Sequence, residues 1–198
     1  MKISSLLLFV LLCAAFAVPR PPQEDRSLLL TQLKETKANL LKEVAGLSEE
    51  QLKFKPAPDR WSVIECVEHI YKAEGGIFAW EQHLVSAPAD PSKRALIKIT
   101  DEQVIAGVED RSKKGKAPES LVPSGTQTPQ QIIESFIARR DSLIDYVTNS
   151  KDDLRNHVVE SSPIGTIDAY QLLLLDAAHT NRHTQQLVEV KNSPNFPK

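Results

Sequence analysis

The stretch QLLLLDAAHTNRHTQQLVEV, residues 171–190, decides the fold of this chain. Apolar residues recur in it every three or four positions, which predicts a long amphipathic helix. His179 and His183 lie four residues apart, so they share one face of that helix, one turn apart. Both imidazoles occupy core-facing positions, where their ring nitrogens must be hydrogen-bonded or coordinated. The apolar positions aligned with the pair are Leu172, Leu175, Leu187 and Val190.

Two interpretations of this histidine pair stay open on the pattern alone. Neutral imidazoles at this spacing can converge on one metal ion, but such a pair is weakly specific by itself. Alternatively, both are core histidines hydrogen-bonded to neighbouring groups. His69 lies 110 residues before His179, in the stretch RWSVIECVEHIYKAEGG, residues 60–76, which contains the start of a second predicted helix. Taken alone, His69 is more typical of a hydrogen-bonded core residue than of a ligand. If the two helices pack together, the chain has a three-histidine site with open coordination positions, as reactive metal sites have.

Asp176 lies one turn before the histidine pair and is the candidate catalytic residue. It could be a fourth ligand, an acceptor that orients a ligand, or a general base. It could equally pair with Arg139 or Arg140, and the sequence favours an orienting or ion-pair role over direct chemistry. Arg182 and Gln186 flank the pair and are candidates for contact with a substrate.

Other titratable residues have simpler explanations. His83 stands fourteen residues beyond His69, about 21 Å along a helix axis, so it is interpreted as a surface residue. His157 falls in a predicted loop and is interpreted as structural or exposed. Cys66 occupies the position where a hydrophobic staple to Trp61 is expected, which explains it better than metal ligation does.

Four long amphipathic helices are predicted, over about 25–45, 62–85 and 128–147, and from near Thr166 to about 190. The irregular segment 86–127 gives a longer connection between the second and third. This pattern predicts an all-α fold, a four-helix bundle, and bundle cores often hold metal sites. No strand alternation extends beyond the residues HVVE.

Helix boundaries are marked by capping patterns. Ser48 with Gln51, Ser62 with Glu65, and Thr100 with Gln103 have the spacing of a capping box, and Thr128 is a cap followed by proline. Glu65 is therefore a helix cap rather than a catalyst. Gly75 and Gly76 weaken the middle of the second long helix and mark either close packing or a bend. The helical bundle domain is predicted over residues 25–192, followed by a C-terminal tail, 193–198.

The N-terminus has the pattern of a secretory signal peptide over residues 1–17, with a basic start, an apolar run and an Ala-Phe-Ala cleavage site. A Pro-rich linker, residues 18–24, follows. We expect cleavage after Ala17 and export to the periplasm or the medium, with retention as an uncleaved anchor as the alternative. After cleavage no stable membrane insertion is expected, and Cys66 is the sole cysteine, so no intrachain disulfide can form.

The charge balance argues against a nucleic-acid partner. The full chain carries 24 basic and 26 acidic residues, a net charge of −2. Removal of Lys2 with the leader leaves 23 basic residues, and 23 minus 26 is −3. A mildly acidic domain without a basic stripe is not expected to bind nucleic acid or an anionic membrane surface.

The chain resembles the DinB-like (DinB/YfiT) family of small metal-binding four-helix bundles. The resemblance lies in WSVIECVEHI and HTNRHTQQ, with further likeness in KAPESLVPSG and FIARRDSLI, and it extends from about residue 28 to 190. It implies a divalent metal ion, nickel, zinc or iron, held by His69, His179 and His183. It also implies a homodimer as a plausible assembly.

The resemblance leaves the reaction open, because the family includes bacterial thiol transferases as well as proteins described as metal-dependent hydrolases. Small thiols belong chiefly to the cytosol, so the export signal favours a hydrolase that acts on a small-molecule substrate. In this hypothesis the ion activates a water molecule, and Asp176 orients a ligand or accepts a proton. The alternatives are a low-molecular-weight thiol S-transferase, a non-catalytic metal- or ligand-binding module, and a structural bundle without an ion.

Overall fold

The computed structural model describes residues 25–198, in which four long helices are joined by shorter elements. The predicted leader and linker, residues 1–24, lie outside the described residues. In chain order the elements are α1 (Ser27–Val44), α2 (Glu49–Lys53), α3 (Val63–Val85), a 3-10 helix (Pro91–Leu96), α4 (Asp101–Glu109), a 3-10 helix (Glu119–Leu121), α5 (Pro129–Asn149), β1 (Val158–Ser162), β2 (Gly165–Asp168) and α6 (Ala169–Lys191). The predicted bundle and the longer connection between its second and third long helices, α3 and α5, are confirmed.

Side-chain caps explain where most helices begin. Five helices start with a capping box, in which the cap side chain accepts a hydrogen bond from the third helical N–H and the residue there accepts from the cap backbone. These reciprocal bonds satisfy N–H groups that have no partner inside the helix. Four of the caps lie where the sequence predicted them; the full set is Ser48, Ser62, Thr100, Thr128 and Asp168.

The predicted start of the last helix near Thr166 is wrong, because Gly165–Asp168 forms a strand that pairs with Val158–Ser162. The hairpin is antiparallel, with Val159 opposite Ile167. Its strands have five and four residues, and polar residues occupy most of the first, so alternation barely shows in the sequence. Asp168 ends β2 and caps α6, which fixes the direction in which α6 enters the bundle.

The core of the bundle surrounds α6, which packs against α1, α3 and α4, while α5 packs against α1 and α3. Apolar side chains fill two regions of the bundle. One contains Leu29, Leu33, Leu143, Tyr170 and Leu172. The other contains Leu40, Val63, Phe136, Leu187 and Val190.

A buried polar layer separates the two apolar regions. Arg140 is fully buried and donates to both carboxylate oxygens of Glu74, to the Thr36 hydroxyl at 2.8 Å and to the Thr180 hydroxyl at 2.7 Å. This polar layer links all four long helices, because its residues come from α1, α3, α5 and α6. The desolvation of such a buried charge pair offsets much of its attraction, but removal of one partner leaves an uncompensated buried charge.

Gly75 marks close packing, and α3 does not bend at either glycine, since the helix continues unbroken through both. A Cβ atom at Gly75 would lie 1.9 Å from Nη1 of Arg139, so the guanidinium lies directly on the helix backbone. The same guanidinium lies 4.6 Å from the centre of the Tyr71 ring. At Gly76 a Cβ would meet no atom within 4 Å.

None of the helices between residues 25 and 198 is long and apolar enough to cross a membrane.

Candidate metal centre

Three histidines from two helices converge at one point of the bundle. His69 comes from α3, and His179 and His183 come from successive turns of α6. One ring nitrogen of each lies within 4.8 Å of the others. The Nε2 atoms of His69 and His179 are 3.3 Å apart. Helix packing thus brings together residues that are 110 positions apart in the chain.

Hydrogen bonds set the tautomers of two of these imidazoles. Nδ1 of His69 donates to the backbone carbonyl of Leu121 at 2.9 Å, and Nδ1 of His183 donates to Oε1 of Gln186 at 2.9 Å. Both partners are oxygens that can only accept, so each Nδ1 carries the proton. The lone pair is then on Nε2, which is the nitrogen that faces the other histidines in His69.

Burial keeps the three rings neutral. It lowers the pKa of His179 to about 3 and that of His183 to about 2, and the neighbouring histidines lower both further by repelling a second positive charge. The pKa of His69 is also lowered, chiefly by burial, against the opposing hydrogen bond to Leu121. Neutral imidazoles offer lone pairs at neutral pH, as metal ligands must.

The donor set fits a divalent transition metal. Two nitrogens bound to one tetrahedral ion at about 2.0–2.1 Å stand about 3.3 Å apart, which matches the separation of the His69 and His179 Nε2 atoms. At this separation the Nε2 atoms of His69 and His179 can share either a proton, as in a hydrogen bond, or a cation. Three protein ligands also leave coordination positions free for water or substrate. Residues 69, 179 and 183 could therefore hold a metal ion.

Comparison with known proteins shows the family of this chain. The family model of the DinB superfamily matches residues 32–187. The chain belongs to the DinB superfamily. This confirms the resemblance drawn from the two histidine-bearing motifs.

A sequence relative and a structural neighbour of this DinB protein come from Bacillus subtilis. The uncharacterized protein YuaE of strain 168 is 27% identical over 154 residues, which is 75% of this chain and 88% of YuaE. The structure of YfiT superposes with a TM-score of 0.58 and 14% identity, and the match covers 90% of this chain and 94% of YfiT. YfiT is described as a probable metal-dependent hydrolase with an unusual four-helix bundle topology. At that identity the likeness shows the fold alone.

Glu68 of this DinB protein anchors the loop that contacts His69. Sequence analysis did not identify this residue. Its carboxylate accepts hydrogen bonds from the backbone N–H and hydroxyl of Ser124, both at 2.7 Å, and from the N–H of Gly125 at 3.3 Å. Burial alone would raise the pKa of Glu68, but these hydrogen bonds lower it below its usual value. The anchored loop carries Leu121, whose carbonyl orients His69. No residue spacing signals this contact, because it joins a helix to a distant loop.

Trp61 covers the site on one side. Its ring centre lies 4.8 Å from that of His69 and 6.1 Å from that of His183. Cys66 is fully buried among apolar residues, and burial raises the pKa of its thiol to about 12. Such a thiol stays protonated at neutral pH and is a poor ligand or nucleophile.

Asp176 lies in the polar layer rather than among the converging histidine nitrogens. Its carboxylate is 3.7 Å from Nη2 of Arg140, and neither oxygen has a hydrogen-bond partner within residues 25–198. Burial, and then repulsion by Glu74, raise the pKa of Asp176 well above its usual value, against the attraction of Arg140. Its catalytic role stays a prediction.

The remaining histidines lie elsewhere. His83 is exposed near the end of α3, as expected. His157 is buried, and its two ring nitrogens contact the backbone carbonyls of Asp153 at 2.6 Å and Ala87 at 2.9 Å. It joins the connection after α3 to the segment before β1, which is a structural role.

Proposed function

We propose that this DinB protein is an exported, divalent-metal-dependent hydrolase whose ion is held by His69, His179 and His183. The observation that carries the proposal is the convergence of three buried or half-buried, neutral imidazoles with their ligand atoms within 4.8 Å. The description of the structural neighbour YfiT as a probable metal-dependent hydrolase supports the reaction class. The substrate is proposed to be a small molecule.

The chain's own residues prepare the site. The Leu121 carbonyl and the Gln186 amide hold two imidazoles with Nε2 free, and the Trp61 ring packs against the same two imidazoles. Nitrogen donors favour zinc, nickel or iron over magnesium or calcium. When bound, such an ion supplies Lewis-acid chemistry and makes a water molecule a better nucleophile at neutral pH.

Metal analysis of untagged protein beginning at Val18 tests the site. We expect about one ion per chain in the wild type, because three histidine ligands suffice for an open transition-metal site. His179→Ala should lose the ion. The matched control is His83→Ala, which removes an exposed histidine of α3 and should keep it. Full metal occupancy in His179→Ala would refute the assignment.

The reaction class is tested on the metal-loaded protein. Hydrolysis of ester, amide and phosphoester substrates should depend on the ion and disappear with chelator. Metal-dependent consumption of an electrophile such as monobromobimane, only when a small thiol is added, would instead identify a thiol transferase. Absence of both activities, with tight metal binding, would identify a binding module.

Export is proposed from the sequence of residues 1–17, which lie outside the described residues. Expression of the full chain in a bacterium, followed by fractionation and mass spectrometry, tests it. The processed protein should begin at Val18 and lie outside the cytoplasm. An intact N-terminus in the cytoplasm would contradict the proposal.

A further inference from the structure

The segment that follows α4 is fastened to α6 beside the metal centre. Arg182 of α6 donates hydrogen bonds to the backbone carbonyls of Val108, Asp110 and Lys113, the first at 3.0 Å. These contacts use the side chain that the sequence suggested for substrate contact. They place Arg111 against α6 on the side of His183.

Arg111 spans two side chains of α6. Its Nε and Nη2 atoms donate to the two carboxylate oxygens of Glu189, at 3.1 and 2.8 Å. Its Nη1 atom donates to Oε1 of Gln186 at 3.2 Å. The two hydrogen bonds to Glu189 hold the planar guanidinium of Arg111 in one orientation, so its Nη1 atom points at Gln186.

This third bond decides which end of the Gln186 amide faces His183. An amide can present an oxygen, which accepts, or a nitrogen, which donates. A guanidinium has only donors, so the oxygen must face Arg111. The same Oε1 atom lies 2.9 Å from Nδ1 of His183, which must then carry the proton. The lone pair of His183 is left on Nε2.

We propose that Arg111 is a positioning residue of the metal centre: it locks the Gln186 amide and thereby selects the ligand-competent tautomer of His183. The proposal rests on the proposed metal site. Without Arg111 the Gln186 amide can turn and donate to Nδ1. The proton of His183 then moves to Nε2, and that nitrogen can no longer bind an ion.

The tautomer is measured directly in the metal-free protein by long-range ¹H–¹⁵N correlation of the imidazoles. Wild-type His183 should show an unprotonated Nε2, whereas Arg111→Ala should show a mixture of both neutral tautomers. A merely structural role for Arg111 would not change this signature. The measurement needs no ion, so it tests the inference even if the proposed metal site fails.

Zinc affinity, measured by competition with a chromophoric chelator, gives the second readout. Arg111→Ala should bind Zn²⁺ about 10–100-fold more weakly, the usual effect of losing an outer contact to a metal ligand. Removal of a positive charge would by itself strengthen cation binding, so weaker binding cannot come from charge. The control Arg60→Ala removes a cation that lies 3.9 Å from Glu189, and it should not weaken binding.

Gln186→Leu provides a second variant, because it removes the acceptor and leaves the Arg111–Glu189 pair in place. It should weaken Zn²⁺ binding to the same degree. Wild-type affinity and a wild-type tautomer in both variants would overturn the inference. A wild type that binds none of Zn²⁺, Ni²⁺ and Fe²⁺ would instead refute the proposed function, and the tautomer measurement would still decide the role of Arg111.

Discussion

Acid should destabilise the metal-free protein through its buried histidines. In an unfolded chain an imidazole binds a proton near pH 6.5. In the folded protein burial lowers the pKa of His179 to about 3 and that of His183 to about 2. Below pH 6.5 the unfolded state therefore binds more protons than the folded state, so stability falls as the pH is lowered.

The magnitude follows from the titration of the unfolded chain. Each pH unit below 6.5 lowers the unfolding free energy by about 1.4 kcal/mol for every histidine that stays neutral in the folded protein. Between pH 7 and pH 5 this amounts to about 2 kcal/mol for each of His179 and His183, or about 4 kcal/mol together. His69 adds to the loss in the same direction, because its pKa is also lowered by burial.

Urea denaturation at pH 7 and pH 5, with chelator present, measures this loss. His183→Gln removes one titrating ring, so its loss of unfolding free energy between the two pH values should be about 2 kcal/mol smaller than that of the wild type. The control His83→Gln makes the same substitution at an exposed position. Its loss of unfolding free energy between the two pH values should equal that of the wild type. If His183→Gln also loses as much, His183 is not held neutral and the reasoning is refuted.

Four further variants test the buried polar layer and the glycine pair of α3. Arg140→Met should lower the unfolding free energy by about 3–5 kcal/mol in urea titrations, because it leaves Glu74 charged and buried; a change under 1 kcal/mol would contradict this. Gly76→Ala should raise the thermal midpoint through a gain of up to about 1 kcal/mol, and Gly75→Ala should gain less because Arg139 must move. Asp176→Asn should change stability at pH 7 by less than about 1 kcal/mol if the buried carboxyl is neutral, whereas loss of turnover with metal retained would support its catalytic role.

Much of the fold was predictable because local signals agree with it. The capping residues Ser48, Ser62, Thr100 and Thr128 set helix starts through bonds made within four residues, so no tertiary information is needed. The apolar period of three and four positions identified the four long helices for the same reason. The hairpin before α6 was missed, since its short strands are held by each other and not by a local pattern.

The candidate site was predictable in part. The spacing of His179 and His183 placed them on one face of a helix, and their core-facing register made a shared role reasonable. His69 was a third ligand only on the condition that its helix packs against that of the pair, and the resemblance then assigned it as one. Glu68 and Arg111 could not be found in this way, because each makes a contact between a helix and a loop from elsewhere in the chain.

The sequence by itself determined the helices, their caps and the pairing of His179 with His183, because these depend on contacts within one or two helical turns. Tertiary structure alone decided that His69 meets that pair, that Asp176 lies beside Arg140 in a buried polar layer, and that the Nδ1 proton of His69 has the Leu121 carbonyl as its acceptor. Such features depend on burial and on hydrogen bonds between residues that are distant in the chain. Packing creates both, and no local pattern encodes them.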